Sequence, residues 1–176
     1  MSTLADVAST LLDEALEAWR YTREGVIAEF ENVPADSLGF RAAPPMRSLA
    51  ELGWHIVESG AMMAGELSRP DGNFQRQAYP EFLREYSRDF GRPDTKDELI
   101  ALLRQSHEDG EARIRGAGEL LMLQHIIQFN GVPATRLSWM SHGVAHEEYH
   151  RGQLAMCARL LGLVPALTQL IEGPPK

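Results

Sequence analysis

Three of the four long periodic segments of this chain open with a Ser or Thr followed three residues later by an acid, and then by apolar residues recurring every three to four positions. The pairs are Thr3 with Asp6, Ser48 with Glu51, and Thr95 with Glu98. In such a pair the hydroxyl accepts from a backbone N–H left open in the first helical turn, and the acid reaches back to the N–H of the hydroxyl residue, so each pair marks a helix start. The first opens a stripe of Leu4, Val7, Leu11, Leu12, Leu16, Trp19, Val26, Ile27 and Phe30 that stops before Pro34. The second predicts a helix over 48–67 in which Leu52, His55, Ile56, Ser59 and Met63 share a face, which turns His55 inward. The third passes through Leu99, Leu102, Leu103, Ser106 and Ile114 and frays at Gly116 and Gly118. A fourth periodic segment, 135–161, is closed by Gly162 and Pro165 and would be about 40 Å long.

Long amphipathic segments bury their stripes most economically against one another. The sequence therefore predicts an all-α fold, a four-helix bundle in a single domain over 1–176, whose long connections after the first two helices permit an order other than simple up-down-up-down. RPDGN and GRPD bracket YPEFLREYSRDF, which can form a short helix at most. GELLMLQHIIQFNGVP fits an irregular crossover, a helical turn or an extended piece, and no convincing strand pair appears.

The net charge of -8 and pI near 5.2 give the molecule a field that repels polyphosphate, which argues against nucleic acid as a partner. No apolar run approaches the roughly 18 residues of a membrane span, and Asp6 and Asp13 stand where a signal peptide carries Lys or Arg. A cytoplasmic location is the expectation. A lone Cys157 suits a reducing compartment and leaves no Cys-rich zinc site.

His142, His146 and His150 follow one another at intervals of four on one helical face. Adjacent members can turn ring nitrogens onto one divalent ion, but all three cannot, because the outer two are about 12 Å apart along the axis. A third ligand should come from a facing helix, and His55 is the remaining histidine inside an apolar stripe. Three imidazoles with open positions make a site of catalytic type. His107 and His125 are expected at the surface or in loops.

Two other metal patterns overlap this helix. HEEYH matches H-E-x-x-H, with Glu147 as general base and Glu172 as a distant third ligand, but a peptidase of that kind needs a sheet edge to bind its substrate. Glu147 and His150 also form the E-x-x-H of di-iron bundles. The required second pair is missing, because Glu51 precedes His55 by four residues rather than three.

AHEEYHRGQLAMCARLLG, preceded by TRLSWMSHG, resembles the signature of the DinB-like (DinB/YfiT) superfamily of bacterial four-helix metalloproteins, and FRAAPPMRSLAELGWHIVES resembles its second-helix histidine segment. The resemblance implies a bundle with an unusual connection, frequently a homodimer, and one divalent transition metal ion (zinc, nickel or iron) on His55, His146 and His150. His142 then falls outside the triad and joins Gln153 in its surroundings. The activity implied is thiol-dependent S-transfer or related transferase or isomerase chemistry on a small-molecule substrate, as in bacillithiol S-transferases and mycothiol-dependent maleylpyruvate isomerase. A metal-dependent hydrolase or a non-catalytic metal-binding protein are the alternatives. Glu147, Arg151 and Glu58, close in sequence to the ligands, are the candidates for orienting or protonating a substrate. Because an unperturbed imidazole titrates near 6.5, the metal is expected to leave in mild acid, before an aliphatic core gives way.

Overall fold

The structure, a computed structural model, describes residues 9–173. Its long helices are α1 (Leu11–Asn32), α2 (Leu49–Ser68), α4 (Lys96–Ala117) and α6 (Arg136–Leu160). Between and after them lie α3 (Tyr79–Ser87), α5 (Glu119–Met122), a hairpin of β1 (His125–Ile127) and β2 (Pro133–Thr135), and α7 (Ala166–Glu172). Ser48/Glu51 and Thr95/Glu98 form complete capping boxes, as expected from their spacing. The first helix differs: it starts at Leu11, capped by Thr10 with Asp13, because that pair has the same hydroxyl-acid spacing one turn before the continuous stripe. The Thr3/Asp6 start lies outside the described residues. Leu11, expected in the core, is exposed at the first helical position.

The strand pair that the sequence did not reveal begins in GELLMLQHIIQFNGVP, which supplies a helical turn, the first short strand and the opening residue of the second. Strands of three residues are too short to display an alternating pattern. The C-terminal α7 was likewise unexpected. It is held by Glu29, a buried α1 carboxylate that accepts from the backbone N–H groups of Ala166 (3.1 Å) and Leu167 (3.4 Å) at the helix start.

The helices do not pack in chain order. α1 packs on α6 and α4, and α2 on α4 and α6, so α1 and α2, though consecutive, occupy one diagonal. Two apolar clusters fill the bundle: one holds Leu16, Trp19, Met63, Ile114 and Met140, the other Val26, Phe30, Leu52, Leu103 and Leu154. α1 and α6 pass from the first cluster to the second, whereas α2 and α4 pass from the second to the first. Hence α2 and α4 are parallel neighbours, and the connection from 69 to 95 must return the full length of the bundle. It is anchored on Glu66, fully buried, which pairs with Arg76 (2.8 Å) and accepts from Tyr86 Oη (2.7 Å) and the Asn73 N–H (2.7 Å). Arg136 joins it by donating to the carbonyls of Leu67 (2.9 Å) and Pro70 (3.2 Å) at the end of α2. No helix among the described residues is long and apolar enough to cross a membrane.

Candidate metal centre

Where each long helix crosses from one apolar cluster to the other it carries buried polar residues: Thr22 and Arg23 on α1, His55 and Ser59 on α2, Ser106 and His107 on α4, Glu147, His150 and Arg151 on α6. Together they form a polar layer across the middle of the bundle. At the α2–α6 seam this layer holds three histidines, His55, His146 and His150, which offer ring nitrogens all within 4.8 Å of one another.

Their ring orientations suit a cation. His55 Nδ1 stands 3.2 Å from Glu58 Oε1, and His150 Nδ1 stands 3.0 Å from Gln153 Oε1. Both oxygens only accept, so both Nδ1 atoms carry the proton and each Nε2 keeps its lone pair free. His150 Nε2 and His146 Nε2 are 3.0 Å apart. Two nitrogens each about 2.1 Å from one ion, at an angle near a right angle, take up that separation. Trp54 Nε1 donates to the other oxygen of Glu58 (2.7 Å), which fixes the carboxylate that fixes His55. Burial, reinforced by the neighbouring imidazoles of His150 and His55, pushes the pKa of His146 down to about 4, and burial lowers His150 as well. Neutral imidazole, the form that binds metal, is therefore the resting form of both.

Beside the triad is a cavity of about 190 Å³, walled by His146, Met62, Met63 and Trp139 and covered by Tyr79 and Phe129 from the connections. Met63 can lie against α6 because residue 143 is glycine, where a Cβ would fall 2.0 Å from its sulfur.

The family model of the DinB superfamily matches residues 18–154, more than half of the chain. This chain belongs to the DinB superfamily. Among solved structures it is similar to YfiT from Bacillus subtilis, described as a probable metal-dependent hydrolase with an unusual four-helix bundle topology, at a TM-score of 0.67 and 11% identity over 93% of this chain and 94% of that one. It is also similar to the DinB-like protein YjoA from Bacillus subtilis, at a TM-score of 0.63 and 20% identity over 85% and 92%. A third is the mycothiol-dependent maleylpyruvate isomerase, at a TM-score of 0.63 and 14% identity over 88% of this chain but 63% of that one. No curated protein matches the sequence.

Not every candidate of this DinB-superfamily chain reaches the triad. Glu58 and Gln153 touch it through His55 and His150. His142 is exposed at the cavity, edge-on to Trp139 (5.1 Å), and makes no hydrogen bond to the triad. Arg151 points elsewhere: it pairs with Glu148 (2.9 Å), lies over the Tyr21 ring and presses on Gly25 of α1. Being one residue past His150, it is rotated about 100° around the helix. Glu172 ends α7, outside the histidine cluster. Glu147 turns into the bundle, where it pairs with the buried Arg23 and accepts from Trp19 Nε1 (2.9 Å). Arg23 also donates to Ser106 Oγ (3.1 Å) and the Leu103 carbonyl (2.8 Å), so the pair ties α1, α4 and α6 together. The sequence carried a signal for this, since Arg23 falls on the apolar stripe between Trp19 and Val26.

His125 is exposed on β1 as expected, but His107 is buried. It continues the Leu99–Leu103 stripe by one turn and stands edge-on to Trp19 at 4.5 Å, with both ring nitrogens lacking a hydrogen-bond partner. Burial, with Arg23 nearby, pushes its pKa down to about 4. The unfolded chain takes up this proton below about 6.5 and the folded chain only near 4, so stability is complete above 6.5 and lost as pH falls through that window, by about 3 kcal/mol. His107→Phe keeps the ring and removes the proton. In urea unfolding at pH 7 and 4.5 the variant should lose about 2–3 kcal/mol less between the two values than the parent. An equal loss in both proteins would assign the acid sensitivity to another group.

Proposed function

We propose that this protein is a mononuclear metal-dependent enzyme that joins a thiol sulfur to an electrophilic carbon, with His55, His146 and His150 as the ligands of one zinc, nickel or iron ion. The observation that carries this reading is the convergence of three imidazoles, two of them oriented through Nδ1, beside a cavity with room for a second reactant. Similarity to a mycothiol-dependent isomerase supports thiol chemistry in particular. The ion supplies positive charge that favours the thiolate form of a sulfur donor.

The chain's own residues do the rest. Glu58 and Gln153 keep His55 and His150 in the ligating tautomer, and the Arg23–Glu147 pair fixes the height of α6 against α1 and α4. Met62, Met63, Phe129 and Trp139 keep water from the acceptor. Burial and the Glu58 carboxylate raise the pKa of Tyr79, so its phenol stays protonated at the cavity and can donate to a departing anion. In the transfer the C–S bond forms as the bond from carbon to the leaving group breaks; the leaving group departs with the electron pair and the thiol proton passes to water.

The description of YfiT favours a second reading, hydrolysis, in which water takes the place of the thiol. Zinc-, nickel- and iron-loaded protein incubated with an activated aryl chloride and a panel of low-molecular-weight thiols should form thioether faster than buffer does, and His150→Ala should abolish the excess. Ester cleavage with no added thiol would favour the hydrolase instead. A reducing cytoplasm suits thiol chemistry, and exposed Tyr149, Met156 and Leu160 on α6 suit a homodimer.

A further inference from the structure

The α2–α6 seam opens on both sides of the triad, and the two openings differ in chemistry. Because these helices are antiparallel, the end of α2 and the start of α6 wall the apolar cavity, whereas Leu52, Gln153 and Cys157 line a groove on the far side of the histidines. The cavity is lined by no lysine or arginine. The groove's outer wall is Arg47, which is exposed and makes no ion pair among the described residues. Its inner wall is Gln153, bonded to His150.

An anionic reactant in the cavity would lose its hydration, meet no lysine or arginine and face the Glu147 carboxylate in the lining, a cost of several kcal/mol or more. The groove offers a guanidinium fork, which matches a carboxylate in shape as well as charge. We propose that two reactants reach the triad from opposite ends of this seam: an uncharged apolar acceptor, of the size of a substituted benzene ring, in the aromatic cavity, and a thiol bearing its own carboxylate in the Arg47 groove, the second assignment resting on the thiol-transfer reading above. A cavity of about 150 Å³ accepts benzene, and this one, at about 190 Å³, has room for a small substituent.

The two halves are read separately on metal-loaded protein. In equilibrium dialysis, 4-nitrobenzyl alcohol should bind at least tenfold more tightly than 4-nitrobenzoate, which matches it in size and differs in charge. Phe129→Ala, or Met62→Gln should that variant fail to fold, should weaken the alcohol at least fivefold. On cobalt-loaded protein, followed by the sulfur-to-cobalt absorption band, N-acetylcysteine should bind about five- to tenfold more tightly than its methyl ester. Arg47→Gln should erase that difference while leaving 4-nitrobenzyl alcohol unchanged. Equal binding of 4-nitrobenzyl alcohol and 4-nitrobenzoate overturns the cavity assignment, and an acid preference that survives Arg47→Gln overturns the groove assignment. If no thiol gives the band while the alcohol still binds, the thiol-transfer reading falls and the groove assignment with it, but the apolar acceptor stands.

Discussion

Glu147→Ala should destabilise the fold by about 3–5 kcal/mol, because it strands the Arg23 guanidinium in the interior without its counter-charge. For a chain of this length the melting temperature should drop by roughly 10–15 °C. Arg23 is 1% exposed and Glu147 3%, so water does not replace the lost partner. The Trp19 indole N–H loses its acceptor at the same time. Removing both charges is a different experiment: Arg23→Met with Glu147→Leu leaves no unpaired ion and should recover most of the loss, since a buried pair gains little over well-packed apolar residues. Thermal melts of the two single variants and the double decide the matter. A Glu147→Ala protein that melts like the parent yet loses turnover would return this carboxylate to the general-base role suggested by its H-E-x-x-H context.

How far the sequence shows this site depends on what each signal reports. Capping pairs report where helices begin, and Ser48 and Thr95 did so to the residue. They do not report which helices are neighbours; the parallel α2 and α4 follow from the reversal of cluster order along each helix, a tertiary property. Periodicity reports the buried face, and on α2 and α6 it turned His55 and two of the three α6 histidines to a common seam. Extended consistently, it would also have placed Arg23 and His107 inside, because both continue their apolar stripes. Proximity in sequence is a poorer guide, as Arg151 demonstrates by facing α1. The cavity cover was illegible for another reason: Phe129 lies in the turn between β1 and β2 and Tyr79 opens the short α3, so neither belongs to a periodic run long enough to show which way it faces.

The pH behaviour also changes once burial is known. Imidazoles titrating at 6.5 would release metal well before an aliphatic core yielded. In the structure His146 is pushed down to about 4, which delays proton competition for the ion, while His107, buried at the same level, is pushed to about 4 and draws fold stability into the same range. Metal release and loss of helix should therefore overlap in acid rather than separate cleanly, with His107 as the residue that couples the fold to pH. His107→Phe is then the background in which metal release alone can be followed.

In that background or in the parent, His55→Ala, His146→Ala and His150→Ala should each cost about a hundredfold or more in metal affinity. A structural zinc site of four ligands is worth roughly 10–16 kcal/mol, or about 3 kcal/mol for each ligand, and every 1.4 kcal/mol is tenfold. Loss of a residue that only orients a ligand should cost less, about 10- to 100-fold. Glu58→Ala and Gln153→Ala therefore belong on an intermediate step, since each frees one imidazole to rotate or to adopt the other tautomer while its nitrogen remains available. His142→Ala should cost little, because this exposed ring lies against Trp139 and makes no hydrogen bond to the cluster. His125→Ala should cost nothing. Competition titrations against a chromogenic chelator rank all seven variants on one scale. A His142→Ala protein depleted a hundredfold, beside a His150→Ala protein that keeps its metal, would move the ion one turn towards the start of α6, onto His142 and His146, and would take His150 out of the ligand set.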